Sequence, residues 1–245
     1  MNDDGMHTHR EAGDLELLLA CRSFCWGLIA RAFAEEPDDA FLQLVADAQA
    51  RREFALVQDG CSDRMADAFR ALAQAAGASD SDELGREYVA QLVGPNTLLA
   101  PPWESIQLTK KKVLFQPEVL DVRQAYRRAG FLPAGYPHVN DDFVGIECDF
   151  MAKLALRAWK CAERGDWASA ADCLRHSQAF LEERLGRWAA SFARQMRTGY
   201  GAGFYTCAAD VLSCQVDRDR TLLPQVLATL KMLAGCAASR FRIFG

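Results

Sequence analysis

The sequence has no C-x-x-C pair, no G-x-G-x-x-G, no phosphate-loop motif, no G-x-S-x-G and no H-E-x-x-H. Each absence removes a chemistry: the glycine turn that cradles a dinucleotide, the loop that wraps phosphates, the exposed serine nucleophile, the zinc-binding helix. Histidine is scarce, with four in the chain, and all four lie away from Cys21 and Cys25, which share a helix face. A zinc site there would need two more ligands nearby. Of the nine cysteines, all but Cys61 fall within helical patterns and read as small hydrophobes, as expected of a reduced, cytoplasmic protein. No run of eighteen apolar residues occurs, so no membrane span is expected. The opening MNDDGMHTHREAGD is polar and lacks the apolar stretch of a signal peptide. Alternating strand patterns of useful length, internal repeats and low-complexity tracts are also missing.

What remains is an ordinary globular composition, 50% apolar and 25% charged over 245 residues. A chain of this length buries about 70–75% of its unfolded surface and needs no disulfide to fold. The formal charge of −5 argues against a nucleic-acid partner and is compatible with a basic peptide.

The chain is organised around EYVAQLVGPNTLLAPPWES, Glu87 to Ser105. Leu84, Tyr88 and Leu92 recur every four residues and mark the end of a helix that stops at Gly94-Pro95. Beyond it the sequence is apolar yet cannot be helical, because Pro101-Pro102 forces a stiff, extended backbone. The segment is expected to pack against the body of the protein. Trp103 then either belongs to the core of that loop or is delivered, with Glu104, to a defined place at the surface.

Helical periodicity runs through the rest. Residues 1–13 read as a disordered tail, with His7 and His9 in it. A first helix covers 14–34, with Asp14 as N-cap and Leu15, Leu18, Arg22, Trp26, Ile29 and Phe33 on one buried stripe. Arg22 on that stripe either packs its stem and frees its head to water or holds a carboxylate. A second helix is predicted from Pro37 to about Val57 with Phe54 inward, broken by Gly60, and a third from Ser62 to Ala76. A fourth is capped by Ser81 or Asp82. Lys110, Lys111 and Lys112 form a solvated edge. Pro117 suits the start of the next helix, which Gly130 stops. Residues 131–140, with Pro133, Gly135 and Pro137, read as a linker between helical halves at 14–130 and 141–245, which together form one integrated fold. Beyond it, helices are predicted from Asp141-Asp142, from Trp167 through about Arg184 with the pattern continuing past a bend through Phe192 toward Gly199, over 203–218, and over 222–240 with Pro224 near the start. The fold class is all-α, a multi-helix bundle.

The acidic cluster is NDDFVGIECD, with Asp141, Asp142, Glu147 and Asp149. A helical di-acid magnesium site stacks its carboxylates on one face. At about 100° per residue Asp142 and Asp149 align, whereas Asp141 and Glu147 point elsewhere. Asp141 and Asp142 fit the N-terminus of the helix opening there, where carboxylates meet free N–H groups. Glu147 borders the apolar face of Phe150 and Leu154, so it is expected at a partly buried rim. There it either grips an arginine on an amphipathic peptide or pairs along the helix with Lys153.

Taken together, these motifs resemble the TorD/DmsD-like chaperones that mature molybdenum-containing oxidoreductases. Arg22 to Pro37 is similar to the family's first-helix pattern. Glu87-Tyr88, Leu92 to Pro95 and Ala100 to Ser105 are similar to its most specific signature, and Tyr126 and Gly130 to the Y-x3-G that follows. Asp142, Gly145, Glu147, Phe150 and Met151 fall on its D-H-x-x-x-E-x-x-F-M, and Phe180 to Trp188 on its F-L-x-E-H-L-x-x-W. The chain departs at Phe143 and Arg184, where the family has histidines, at Trp26 for tyrosine and at Leu92 for phenylalanine.

The resemblance implies a TorD-like bundle and a cytoplasmic chaperone with no catalysis and no cofactor of its own. Its partner would be the precursor of a molybdopterin oxidoreductase of the DMSO or TMAO reductase type. It would bind the twin-arginine signal peptide or the apo form until cofactor insertion and export, as a monomer or a domain-swapped homodimer. The client groove would take aromatic wells from Trp103, Trp26, Tyr88 and Phe143 and acidic rims from Glu104, Glu147 and Asp142. Arg22, Pro101, Pro102 and Ser105 complete it. A disordered peptide loses about 2–5 kcal/mol in ordering, so releasable affinity is expected. Two alternatives stand: a NarJ-like assembly factor for a catalytic subunit that is not exported, and a metal-dependent helical enzyme using Asp142 and Glu147.

Overall fold

Apolar side chains at threes and fours bury themselves only if helices stack, and the computed structural model is such a stack. It describes residues 3–47, 62–94, 97–111, 118–134 and 140–241, with side chains described for 12–47, 64–94, 97–111, 119–134 and 140–233. Helix α1 spans Asp3–Ala34, beginning at Asp3 rather than at Asp14. No proline interrupts residues 3–13, so helix propagates back from the packed stripe. Ala12–Ala34 is long and apolar enough to cross a membrane by length and composition. In this fold its Leu19, Trp26, Ile29 and Phe33 are buried among other helices.

Helix α2 (Asp39–Ala46) is capped by Asp38, whose carboxylate accepts from Phe41 N at 2.7 Å. The predicted continuation through Phe54, Val57 and Gly60 lies outside the described residues. Helix α3 covers Ser62–Ala78 and α4 covers Ser81–Tyr88. The α4 cap is Asp80, one position earlier than expected, accepting from Glu83 N at 3.0 Å. A π turn, Val89–Val93, follows and ends at Gly94 with φ 93°, a left-handed value that favours glycine; Pro95 lies outside the described residues. Short α5 is Glu104–Thr109, and Lys110 ends it at φ 61°; Lys112 lies outside the described residues. Helix α6 is Glu118–Arg128, with Pro117 outside the described residues, and the chain turns at Gly130.

Helix α7 is Val144–Ala162, and α8 is Trp167–Glu183, capped by Asp166. The predicted bend is a break at Arg184 and a 3-10 turn, Leu185–Arg187, before α9 (Ala189–Tyr200). The last two predicted helices are one, α10 (Phe204–Phe241), with Pro224 inside it. Proline forfeits one backbone hydrogen bond, but Leu223, Val226 and Leu230 around it are buried on one face and hold the axis against the core.

Helix α7 packs along α1 and against α8, while α10 packs on α1, α3, α8 and α9. Elements from before and after residues 131–140 therefore share one core. Gly135 and Pro137 of the expected linker lie outside the described residues; Pro133 is buried. Where α1 and α7 cross, a Cβ on Gly145 would lie 2.7 Å from the Phe33 carbonyl oxygen, so only glycine allows that approach. No strand occurs among the described residues, only an isolated bridge between Trp103 and Phe143.

One buried ion pair ties α1 to α10. Arg22 Nε donates to Asp219 Oδ2 at 2.9 Å, and Trp26 Nε1 donates to the same oxygen at 2.8 Å. Gln215 Nε2 donates to Asp219 Oδ1 at 2.9 Å. Arg22 thus holds a carboxylate inside the protein, the second of its two expected roles. Replacing Asp219 with Ala leaves the Arg22 charge buried without it. We expect a loss of about 3–5 kcal/mol in urea unfolding, against under about 1 kcal/mol for Asp172→Ala on the exposed face of α8.

Candidate functional site

The proline segment and the turn before α7 meet as two extended stretches. Val144 N donates to Pro102 O at 2.9 Å and Glu104 N donates to Asp142 O at 3.0 Å, closing the bridge between Trp103 and Phe143. The expected proximity of these segments is therefore present. Helix α7 begins at Val144, however, so Asp141 and Asp142 sit in the preceding turn and do not occupy its first turn. Asp142 caps a different helix: its Oδ2 accepts from Ser105 N at 2.8 Å, in the first turn of α5, which has no side-chain cap of its own. Asp141 Oδ2 meets Arg123 Nε at 2.5 Å, and its carbonyl accepts from Tyr126 OH at 2.8 Å.

Beneath the bridge the acids turn inward. Glu104 is 1% exposed, Asp142 0% and Glu147 0%. This corrects the expected acidic rim: an angle count gives a side chain's direction around a helix, not the depth of what lies over it. Arg184 Nη1 lies 3.3 Å from Glu104 Oε1, and Arg184 Nη2 lies 3.3 Å from Asp121. Trp188 Nε1 donates to Glu147 Oε2 at 3.3 Å. The Glu104 and Glu147 carboxyls lie close enough to act on one another. Burial pushes Glu104 up to about 7, against the pull of the Arg184 charge. Burial, reinforced by the charges of Glu104 and Asp142, holds Glu147 well above the usual carboxylate range. Burial also raises Asp142, opposed by its bonds to Ser105. Lys153, the alternative partner for Glu147, instead lies 3.6 Å from Asp149.

Other members of the expected groove are interior too. Trp26 is 0% exposed and Arg22 1%, engaged with Asp219. Tyr88 is buried, donates from its hydroxyl to the Phe33 carbonyl at 3.1 Å, and is pushed up to about 12 by burial. Pro102 and Ser105 are buried, while the Pro101 carbonyl accepts from Gln107 Nε2 at 2.9 Å. Trp103 and Phe143 alone among the expected aromatics stay half-buried, their ring centroids 6.2 Å apart. Among the described residues no group of three or more potential ligands could hold a metal.

A cleft of about 500 Å³ runs beside this bridge between α1 and α7. Ala30, Ala34, Gly145 and Ile146 line it, and Glu35 and Asp149 stand at its edge with exposed carboxylates. A Cβ on Gly145 would lie 2.8 Å from Phe143 Cε1, so the Phe143 ring packs against a residue that lines the cleft. The sequence reading weighed Asp149 only beside Asp142 as a metal ligand and did not raise Glu35. The available signal was their position: both stand on the solvent side of an apolar stripe.

The profile of the nitrate reductase delta subunit family matches residues 58–194. The chain belongs to that family. It is the NarJ/TorD type of maturation chaperone, so the resemblance drawn from the motifs holds at family level. No curated protein matches the chain. A crystal structure of a proposed redox enzyme maturation protein from Archaeoglobus fulgidus is 16% identical, with a TM-score of 0.48, over 78% of this chain and 91% of that one.

The trans cap at Asp142 sets a local test. Asp142→Ala should cost about 1–2 kcal/mol and speed amide exchange selectively over 104–109. Asp142→Asn, which keeps an acceptor, should recover most of that protection.

Proposed function

We propose that this family member is a non-catalytic, cytoplasmic chaperone for a redox enzyme subunit, and that its client docks on the Trp103–Phe143 edge and the adjoining α1/α7 cleft. The observation that carries this reading is the pair of half-buried aromatic rings fixed by a backbone bridge, with Phe143 packed against Gly145 of the cleft wall. Aromatic anchors held rigid before binding lose little entropy when a partner arrives. A client segment with apolar residues beside a positive charge fits small apolar walls with carboxylates at the edge.

In this reading the carboxylates that meet a basic client are Glu35 and Asp149, and not the buried Glu104, Asp142 and Glu147. Each already has a basic neighbour: Glu35 lies 3.7 Å from Arg31, and Asp149 lies 3.6 Å from Lys153. A client arginine would exchange one exposed ion pair for another, which favours modest, salt-sensitive affinity. A twin-arginine signal peptide of a molybdopterin oxidoreductase of the DMSO or TMAO reductase type has this chemistry. The name of the matched family favours a second reading, in which the client is a nitrate reductase-type catalytic subunit that is not exported.

Labelled peptides separate the two. One is a twin-arginine signal peptide and the other is the N-terminal segment of a non-exported catalytic subunit. Tight binding of the first alone supports the export reading, of the second alone the assembly reading; binding of neither peptide nor apo-subunit overturns client docking here. Trp103→Ala should weaken the preferred ligand about tenfold or more with the far-ultraviolet helix signal unchanged. Asp149→Asn should weaken it a few-fold and flatten its salt dependence.

A further inference from the structure

Two carboxyl groups on separate elements face each other in the interior with too few donors between them. Glu104 Oε1 has Arg184, and Glu147 Oε2 has the Trp188 indole. Glu104 Oε2 and Glu147 Oε1 have no hydrogen-bond partner, and both side chains are sealed from solvent. Two ionised carboxylates cannot share a buried contact, whereas a single proton between them supplies the missing donor.

We propose that Glu104 and Glu147 hold one proton in common, and that this proton is a latch pinning the segment Pro101–Thr109 to helix α7.

The groups that face the pair define the charge balance. From the end of α8, Arg184 gives one guanidinium, which it divides between Glu104 and Asp121 of α6. From the turn before α7, Asp142 adds a carboxylate whose Oδ1 has no partner, and Asp141 adds one held by Arg123 of α6. Tyr126 of α6 stands close by with its hydroxyl committed to the Asp141 carbonyl. Trp188, just before α9, contributes a neutral donor. With the shared proton in place, one negative charge on the pair faces one shared guanidinium. Without it, two adjacent carboxylates face the same guanidinium with Asp142 beside them.

The element that yields is α5. It is six residues long, its cap is borrowed from Asp142, and two backbone hydrogen bonds close the bridge to the α7 turn. Helix α7 is embedded against α1 and α8 and stays in place.

The sign of the pH dependence follows. Burial favours the protonated form of each carboxyl, so docking is complete below their ordinary range and weakens as pH rises through the folded-state values. For Glu104 that value is about 7; burial holds Glu147 well above the usual carboxylate range as well. The latch is thus closed at mildly acid pH and opens toward alkaline pH. It concerns the intramolecular docking of this segment and holds whether or not Trp103 meets a client.

Amide exchange by mass spectrometry on the full chain, corrected for the intrinsic pH dependence of exchange, tests it. Protection over 103–109 should fall about tenfold or more between about pH 6 and about pH 9, while that of α7 and α8 stays constant. Glu147→Gln keeps a neutral donor for Glu104 and should abolish the dependence. A merely structural role would instead lower protection at every pH. The infrared carbonyl band of a protonated carboxyl should be present at about pH 6 in the wild type and reduced in Glu147→Gln. If that variant does not fold, Glu104→Gln serves as the same test. Protection that is flat with pH in the wild type, or a dependence that survives either substitution, overturns the latch.

Discussion

A carboxylate taken out of water must be met by donors, or it stays protonated. That constraint shapes the junction of the proline segment with α7. Asp142 answers it with the amide of Ser105, Asp141 with Arg123, Glu104 with Arg184, and Glu147 with the Trp188 indole. Those donors come from α5, α6, the end of α8 and the approach to α9. The acids therefore tie together pieces of chain that apolar packing alone would leave free to slide. The prolines make the segment stiff; the acids fix its position.

The same division separates the inside of the site from its outside. Placing the acids beneath the bridge leaves only rings, Trp103 and Phe143, at the surface above them. Arg184 and Phe143, the two departures from the histidines of the resembled pattern, fall on opposite sides of this division. Arg184 supplies a guanidinium to the buried Glu104 carboxyl, which burial pushes up to about 7. Phe143 packs on Trp103 and adds apolar area beside the cleft. In the proposed docking, such a surface would select a client chiefly by shape and apolar contact, with charge contributing from the exposed carboxylates of Glu35 and Asp149.

What could be read from the sequence follows the range of the interactions involved. Helices appear where periodicity and local caps suffice: Asp166 before α8, Gly130 after α6, the stop at Gly94 and the bend near Arg184 all depend on neighbours in sequence. Proximity of the two site segments was legible as well, through the order of the motifs. Depth was not. Glu147 sits on the side of α7 that the angle count assigns, but what covers it there is Glu104 and Trp188, 43 and 41 positions away in sequence. Asp142 was correctly read as a helix cap and assigned to the wrong helix, because a cap supplied in trans leaves no local trace. Arg22 on a buried stripe announced a carboxylate partner, yet nothing near it points to Asp219. Pro224 looked like a boundary because propensity is local, while the packing on either side of it is not.

The segment carrying Trp103 is also fastened beyond the bridge. Leu99 N donates to Tyr200 OH at 3.0 Å, and a Cβ on Gly199 would lie 2.7 Å from Leu99 Cβ, so α9 and the segment touch closely at its start. At its far end Gln107 and Gln195 exchange amide hydrogen bonds at 3.0 and 2.8 Å. A loop held at both ends and bridged in the middle has few ways to move. Lengthwise sliding would break the fastenings at both ends, whereas lifting away from α7 chiefly breaks the bridge and the Asp142 cap. The structure therefore channels any opening of this segment into one motion, and the carboxyl pair lies directly under the part that lifts. In the proposed latch, the balance of charge beneath Trp103 sets how readily that motion occurs.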